Sequence, residues 1–129
     1  MNRIAIAGLL TVTLCAPAAE KKILDHDCFD AWKSVANHAF SNNGTWGAYS
    51  VNPQEGDGTL TFYSVKGGRS VGIPRGYNPS FTADGKWGMA LIKPLFTATR
   101  DARRKGKKDN ELPKDSLAIV NLETLGVEK

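Results

Sequence analysis

An all-β fold made of repeated four-stranded antiparallel units is what this 129-residue sequence predicts. Two observations predict it. An eight-residue segment occurs twice: Phe40-Ser41-Asn42-Asn43-Gly44-Thr45-Trp46-Gly47 returns as Phe81-Thr82-Ala83-Asp84-Gly85-Lys86-Trp87-Gly88. Between and after the copies, short strand-like runs alternate with glycine-containing polar turns, the pattern of strands joined by hairpins.

The offset between the copies is 41 residues, 81 minus 40. A spacing of ~40–45 residues matches one four-stranded blade of a β-propeller, so the chain is expected to hold about two blades. Asn43-Gly44 and Asp84-Gly85 are dipeptides that accept positive φ, as two-residue hairpin turns require. After each comes a strand, Thr45–Val51 and Lys86–Ile92. Gly47 and Gly88 weaken an isolated strand but suit one against which a neighbouring sheet packs closely.

The elements then follow in order. Residues 1–18 read as a secretory signal: basic Arg3, an uncharged apolar run from Ile4 to Leu14, and small residues at Ala16 and Ala18. The run is shorter than the ~20 residues that span a bilayer, so no stable membrane anchor is expected. Lipidation at Cys15 would need a small residue before it, and Leu14 is not small. With Cys15 removed in the signal, Cys28 has no disulfide partner and reads as a small buried side chain. Export to the periplasm or beyond is the expected localisation.

Residues 19–38 form an N-terminal segment. Phe29, Trp32, Val35 and Ala36 share a helical face and Asp27 can cap it, which predicts a short helix over Asp27–Asn37. Residues 39–76 make the first blade. Asn52–Gly58 is a polar turn, Thr59–Val65 a strand, Gly67-Gly68 a hairpin, Arg69–Ile73 a strand, and Pro74-Arg75-Gly76 a break. Residues 77–129 make the second blade, which Tyr77–Phe81 opens and Ser116–Leu122 continues. Aligning Leu60 with Leu117 gives an offset of 57, so 16 residues are extra. The excess is a charged insertion at 95–115; Phe96–Arg104 can form one or two helical turns, and Leu112-Pro113 ends anything helical.

Several motifs invite a functional reading. Gly68-Arg69-Ser70-Val71-Gly72 matches a nucleophile elbow by letter, but that elbow needs a strand turning into a helix. Ile73-Pro74-Arg75-Gly76 cannot start one, and both histidines, His26 and His38, lie upstream of Ser70. Ser70 therefore reads as a strand residue. His26 and His38 with Asp25, Asp27 and Asp30 match no standard metal spacing. Arg103-Arg104-Lys105-Gly106-Lys107-Lys108 lacks interleaved aromatics, is flanked by Asp101 and Asp109, and reads as a solvated loop. A net charge of +4 from 17 basic and 13 acidic residues is too mild for a nucleic-acid binder. Trp46, Trp87 and Tyr49 could suggest a carbohydrate platform; their repeat positions favour packing between blades. Asn43-Gly44-Thr45 and Asp115-Ser116-Leu117 fit short glycan-acceptor patterns, the first already explained by its turn. No catalytic, cofactor-binding or metal-binding residue is expected, and no cofactor.

Leu24-Asp25-His26, Phe29–Val35, the Ser-Asn-Asn-Gly turn, Val51–Gly58 and Ile73–Asn78 together resemble the start of the propeller in secreted prolyl oligopeptidase-family (S9) serine peptidases of the kind found in Bacteroides-like bacteria. The resemblance covers about Leu24 to Lys129. It implies a multi-bladed propeller that caps a C-terminal α/β-hydrolase domain and screens peptide substrates by size. The chain ends far short of such a domain, so no catalytic residue of the family maps onto it. The expectation is a non-catalytic propeller fragment of an exported peptidase, truncated before the hydrolase domain, with peptide substrates engaged only in the full-length enzyme. The alternative is a small periplasmic binding or scaffold module that completes its propeller by oligomerising. Unpaired blade edges are a route to self-association in either case.

Overall fold

In a computed structural model of the chain, described here for residues 32–129, two four-stranded antiparallel sheets lie in sequence along the polypeptide. The first comprises β1 (Lys33–Phe40), β2 (Trp46–Pro53), β3 (Thr59–Ser64) and β4 (Ser70–Pro74); the second comprises β5 (Gly76–Phe81), β6 (Trp87–Ile92), β7 (Ser116–Asn121) and β8 (Val127–Glu128). Within each sheet neighbours in sequence are neighbours in space, so every connection is a hairpin except the insertion between β6 and β7. That insertion holds the helix α1 (Phe96–Arg104) and a short 3-10 turn at Asp109–Glu111.

The helix expected over Asp27–Asn37 is a correction. Lys33–Ala36 run extended in β1, with Val35 opposite Val51 and Ala36 opposite Ser50. A short amphipathic helix depends on packing for most of its stability. Here the free edge of β2 offers ladder hydrogen bonds instead, and pairing overrides the helical spacing of the apolar residues. Asp27–Ala31, Cys28, His26 and the signal-like residues 1–18 lie outside the described residues.

The repeat is structural as well as sequential. Ser41 and Thr82 each donate their backbone N–H to the tryptophan carbonyl five residues on, at 2.9 and 3.0 Å, and receive the tryptophan N–H on their side-chain oxygen, at 3.0 and 3.1 Å. Asn43 and Asp84 accept from that same hydroxyl and from the N–H two residues later. Gly44 and Gly85 take φ of +66° and +68°. Both turns are thus longer than the two-residue hairpins expected: the hydroxyl replaces a backbone acceptor, because the Ser41 and Thr82 carbonyls are engaged by Gly44 and Gly85. Only the glycine, not the Asn or Asp before it, needs the left-handed region.

The 41-residue offset extends further back than the matched letters. Asn37 and Asn78 both have φ +50° and sit in bulges of β1 and β5. Such a bulge bends and twists the strand that carries it. The offset of 57 also holds, since Leu60 faces Ser50 and Leu117 faces Leu91. It carries through the following hairpin, where Gly68 and Leu125 share φ +62°.

The core lies between the two sheets. Leu60, Phe62 and Ile73 of the first meet Ala90, Ile92, Ala118, Val120 and Leu122 of the second, all buried. Gly88 explains why this approach is possible: a Cβ there would lie 2.7 Å from the Phe62 ring. Gly47 at the equivalent place is covered by Tyr63 of its own sheet instead. Trp46 is half-buried against the core, whereas Trp87 points away from the junction and is 38% exposed. Tyr49 lies on the opposite face of the first sheet, edge-on to Tyr63 at 5.7 Å. Of the three aromatics expected between blades, only Trp46 is there.

Candidate functional site

A cavity of about 640 Å³ opens where the ends of both sheets meet the insertion. Its geometry begins at Arg75, the single residue between β4 and β5. Its φ of +63° turns the chain from one sheet into the next. Its N–H donates to the Gly58 carbonyl at 2.8 Å, and its carbonyl accepts from Lys93 N–H at 3.0 Å. One peptide segment therefore ties the first sheet's β2–β3 loop to the end of β6. Gly76 follows because a Cβ there would lie 2.7 Å from Leu60 Cβ.

The insertion closes the other side. Asp57 Oδ1 accepts the backbone N–H of Phe96 at 3.0 Å, capping the first turn of α1 from a residue 39 positions earlier. Such a carboxylate satisfies one of the orphan donors at a helix start and suits its positive end. Arg100 adds an ion pair to Glu55 at 3.6 Å, on the same loop. At the far end, Tyr77 donates its hydroxyl to Asp115 and carries Lys93 Nζ 5.1 Å above its ring. The hydrogen bond to Asp115 holds the Tyr77 phenol above its usual range, with partial desolvation and the Asp115 charge adding to it.

The lining mixes apolar Phe96, Leu112 and Pro113 with Arg75, Lys93 and Arg103 on one side of the charge balance and Asp57, Asp109 and Asp115 on the other. Asp57 and Asp115 are engaged in the bonds just described. Among the described residues no hydrogen bond or ion pair occupies the guanidinium of Arg75 or Arg103. Among the described residues no Ser, Cys or His lines the cavity. The arrangement can hold a polar chain and orient it.

The other sequence candidates are dispersed. Ser70 is an exposed residue of β4 opposite Tyr63, and His38 an exposed residue of β1. They stand on the two outer strands of one sheet, three strand spacings of ~4.8 Å apart, so they cannot form a hydrogen-bonded pair. His26 and Asp25, Asp27 and Asp30 lie outside the described residues. The basic run forms the exposed end of α1 and the loop after it, where Arg103 and Arg104 complement the helix dipole. The Asn43 amide rests against Gly85, consistent with its turn role.

Sequence reasoning gave no site role to Asp57, Arg75, Tyr77 or Lys93, and took Asp115 only as part of a short glycan-acceptor pattern. The break at Pro74-Arg75-Gly76 was a signal for the first two sheets' crossing point; nothing local in the sequence pairs Asp57 with Phe96.

Consecutive four-stranded antiparallel sheets, stacked face to face and joined by one residue, define a pair of β-propeller blades. No protein-family model matches the chain, and no curated protein matches it. Among solved structures it is similar to the β-propeller domain of the Trilobed protease from Pyrococcus furiosus, described as having an open velcro topology, with a TM-score of 0.52 and 15% identity. The match covers 75% of this chain and 27% of that one. The chain thus has two sheets with the fold of β-propeller blades and spans about a quarter of the length of that structure.

Proposed function

We propose that this chain is a non-catalytic propeller segment of an exported prolyl oligopeptidase-family serine peptidase, with the hydrolase domain missing from it. The propeller of such an enzyme covers the active site and filters peptides by size. One observation carries the reading: two complete blades of the same fold as a protease's propeller domain, with Ser70 and His38 held on opposite edges of one sheet. The cavity supports it, since cations and a tyrosine at the blade ends suit contact with a peptide rather than bond cleavage. The stretches Asn52–Gly58 and Ile73–Asn78, which resemble the family, contribute Asn52, Asp57, Arg75 and Tyr77 to the cavity wall.

The test has two parts. Genomic sequence on either side of the reading frame is expected to encode an α/β-hydrolase domain, in frame or frameshifted. The purified chain is expected to release no chromophore from prolyl or alanyl dipeptide substrates. Hydrolysis that Ser70→Ala abolishes, or a locus with no hydrolase sequence, overturns the proposal.

A further inference from the structure

Arg75 holds a backbone conformation that favours glycine, at φ +63°. For a residue with a Cβ this left-handed region is strained, and such outliers cluster where a side chain serves a function. The bonds to the Gly58 carbonyl and from the Lys93 N–H fix the turn through the backbone alone and would hold a glycine equally well. What arginine adds is its side chain, which lines the cavity. The residue is half-buried, and among the described residues no hydrogen bond or ion pair engages its guanidinium. A strained position on a fixed backbone therefore presents an unused planar cation.

Charges of both signs share this space without pairing across it. Arg75, Lys93 and Arg103 line the cavity together with Asp57, Asp109 and Asp115, yet among the described residues none of the six forms an ion pair with another. Asp57 and Asp115 are engaged by the Phe96 N–H and the Tyr77 hydroxyl, whereas the Asp109 carboxylate accepts no bond. Asn37, turned by its bulge in β1, donates its amide to Ser50 Oγ at 2.9 Å and keeps its side-chain oxygen without a donor. A simple anion would satisfy the cations and face three carboxylates; a simple cation would leave Arg75 unmet. Separated charges, an unused amide acceptor and the apolar Phe96, Leu112 and Pro113 suit a ligand with a carboxylate, an ammonium, N–H groups and a hydrocarbon side chain.

We propose that the cavity binds a short peptide by its two free ends, with the terminal carboxylate on Arg75 and the terminal ammonium on Asp109. The guanidinium takes a carboxylate through two parallel N–H bonds, a geometry that an ammonium cannot reproduce. A volume of about 640 Å³ lies within the ~300–1,000 Å³ of small-molecule pockets, which excludes a long chain held at both ends. Binding by the ends makes the cavity selective for free small peptides over the interior of a polypeptide. The peptide contact of the proposed function is the premise here, and the hydrolase domain is not. Failure to bind strikes the ligand assigned to this cavity, and a locus without a hydrolase strikes the peptidase reading.

Titration of the nitrogen-labelled full chain with trialanine, followed by amide shifts in NMR, tests it. Trialanine is expected to shift Gly56–Gly58, Arg75–Tyr77 and residues 93–115. Its C-terminal amide and its N-acetyl derivative are each expected to bind about tenfold or more weakly, as loss of a bond between charged groups does. Arg75→Gly keeps a residue suited to the turn, since glycine adopts positive φ without steric cost. It is expected to fold and to bind trialanine and the amide alike. Asp109→Asn, at an exposed site, is expected to erase the preference for the free amine instead. The capped peptides probe the wild type, so the outcome does not depend on either variant folding. Absence of trialanine binding, equal affinity for trialanine and its amide, or inorganic phosphate binding as tightly as trialanine overturns the proposal. So does a folded Arg75→Gly that still prefers the free carboxylate.

Discussion

The ring of Phe81, in the last position of β5, meets the ring of Phe62 in β3 edge-on, with centroids 5.5 Å apart and planes at 88°. One residue comes from each sheet, so this contact belongs to the association of the blades rather than to either blade. Edge-to-face pairs add about 0.5–1.5 kcal/mol beyond the area they bury. Phe62 itself is fully buried.

Phe62→Ala is accordingly expected to cost about 3–5 kcal/mol, the range for removing a buried aromatic. Gly88→Ala presses on the same ring and is expected to cost about 1–3 kcal/mol, as overpacking does. Gly47→Ala meets only the far end of Tyr63, a half-buried side chain that can swing, and is expected to cost less. Chemical denaturation of the three variants ranks them. Equal losses at Gly47 and Gly88 would contradict the asymmetry between the faces.

A second expectation concerns the insertion. Asp57→Ala removes the carboxylate that caps Phe96 N–H, and caps of this kind are worth about 0.5–2 kcal/mol. Amide exchange within residues 95–115 should accelerate while β3 and β7 stay protected. Glu55→Ala, which breaks only an ion pair between exposed side chains, should change stability by less than about 1 kcal/mol.

These two cases also mark what could be read from the sequence. The Phe-to-Trp segments at 40 and 81 announced the repeat because their turn needs a hydroxyl, an Asn or Asp, and a glycine at fixed places, and such local demands leave letters behind. The bulges at Asn37 and Asn78 left only one letter each. Lys33–Asn37 was misread as helical because Val35 and Ala36 continue a helical spacing, while the partner that draws them into a strand, β2, starts several residues later. The cavity was not legible at all. Asp57, Arg75 and Phe96 are brought together by the crossing between sheets and the docking of the insertion, and neither leaves a spacing in the chain.

Tyr77 offers a titration. Its phenol is held above the usual value mainly by the hydrogen bond to Asp115. The raised value means that this bond contributes fully below pH 10 and is lost as pH rises through the folded-state value. Asp115→Ala should bring the Tyr77 phenol down toward 10, followed by the ring carbon shift of labelled tyrosine under NMR. No change on removing Asp115 would show that the hydrogen bond is not the cause.

The two turns of the repeat differ in one atom that titrates. Asn43 and Asp84 accept equivalent bonds, but only Asp84 carries a charge, and its carboxyl is held below the ordinary value, first by the Thr82 hydroxyl and next by Lys86 N–H. A depressed carboxyl contributes stability above its unfolded value of 3.8, and that contribution disappears as pH falls through the folded value. The second turn should therefore loosen in acid while the first does not. Asp84→Asn copies the first blade's chemistry into the second: its side-chain oxygen can accept both bonds at any pH. The variant should fold normally at pH 7 and lose less stability than wild type between about pH 5 and pH 2. Thr82→Ala should instead raise the Asp84 carboxyl toward 3.8, visible in its NMR titration. If Asp84→Asn were as acid-sensitive as the wild type, the carboxylate would not be what makes the second turn respond to pH.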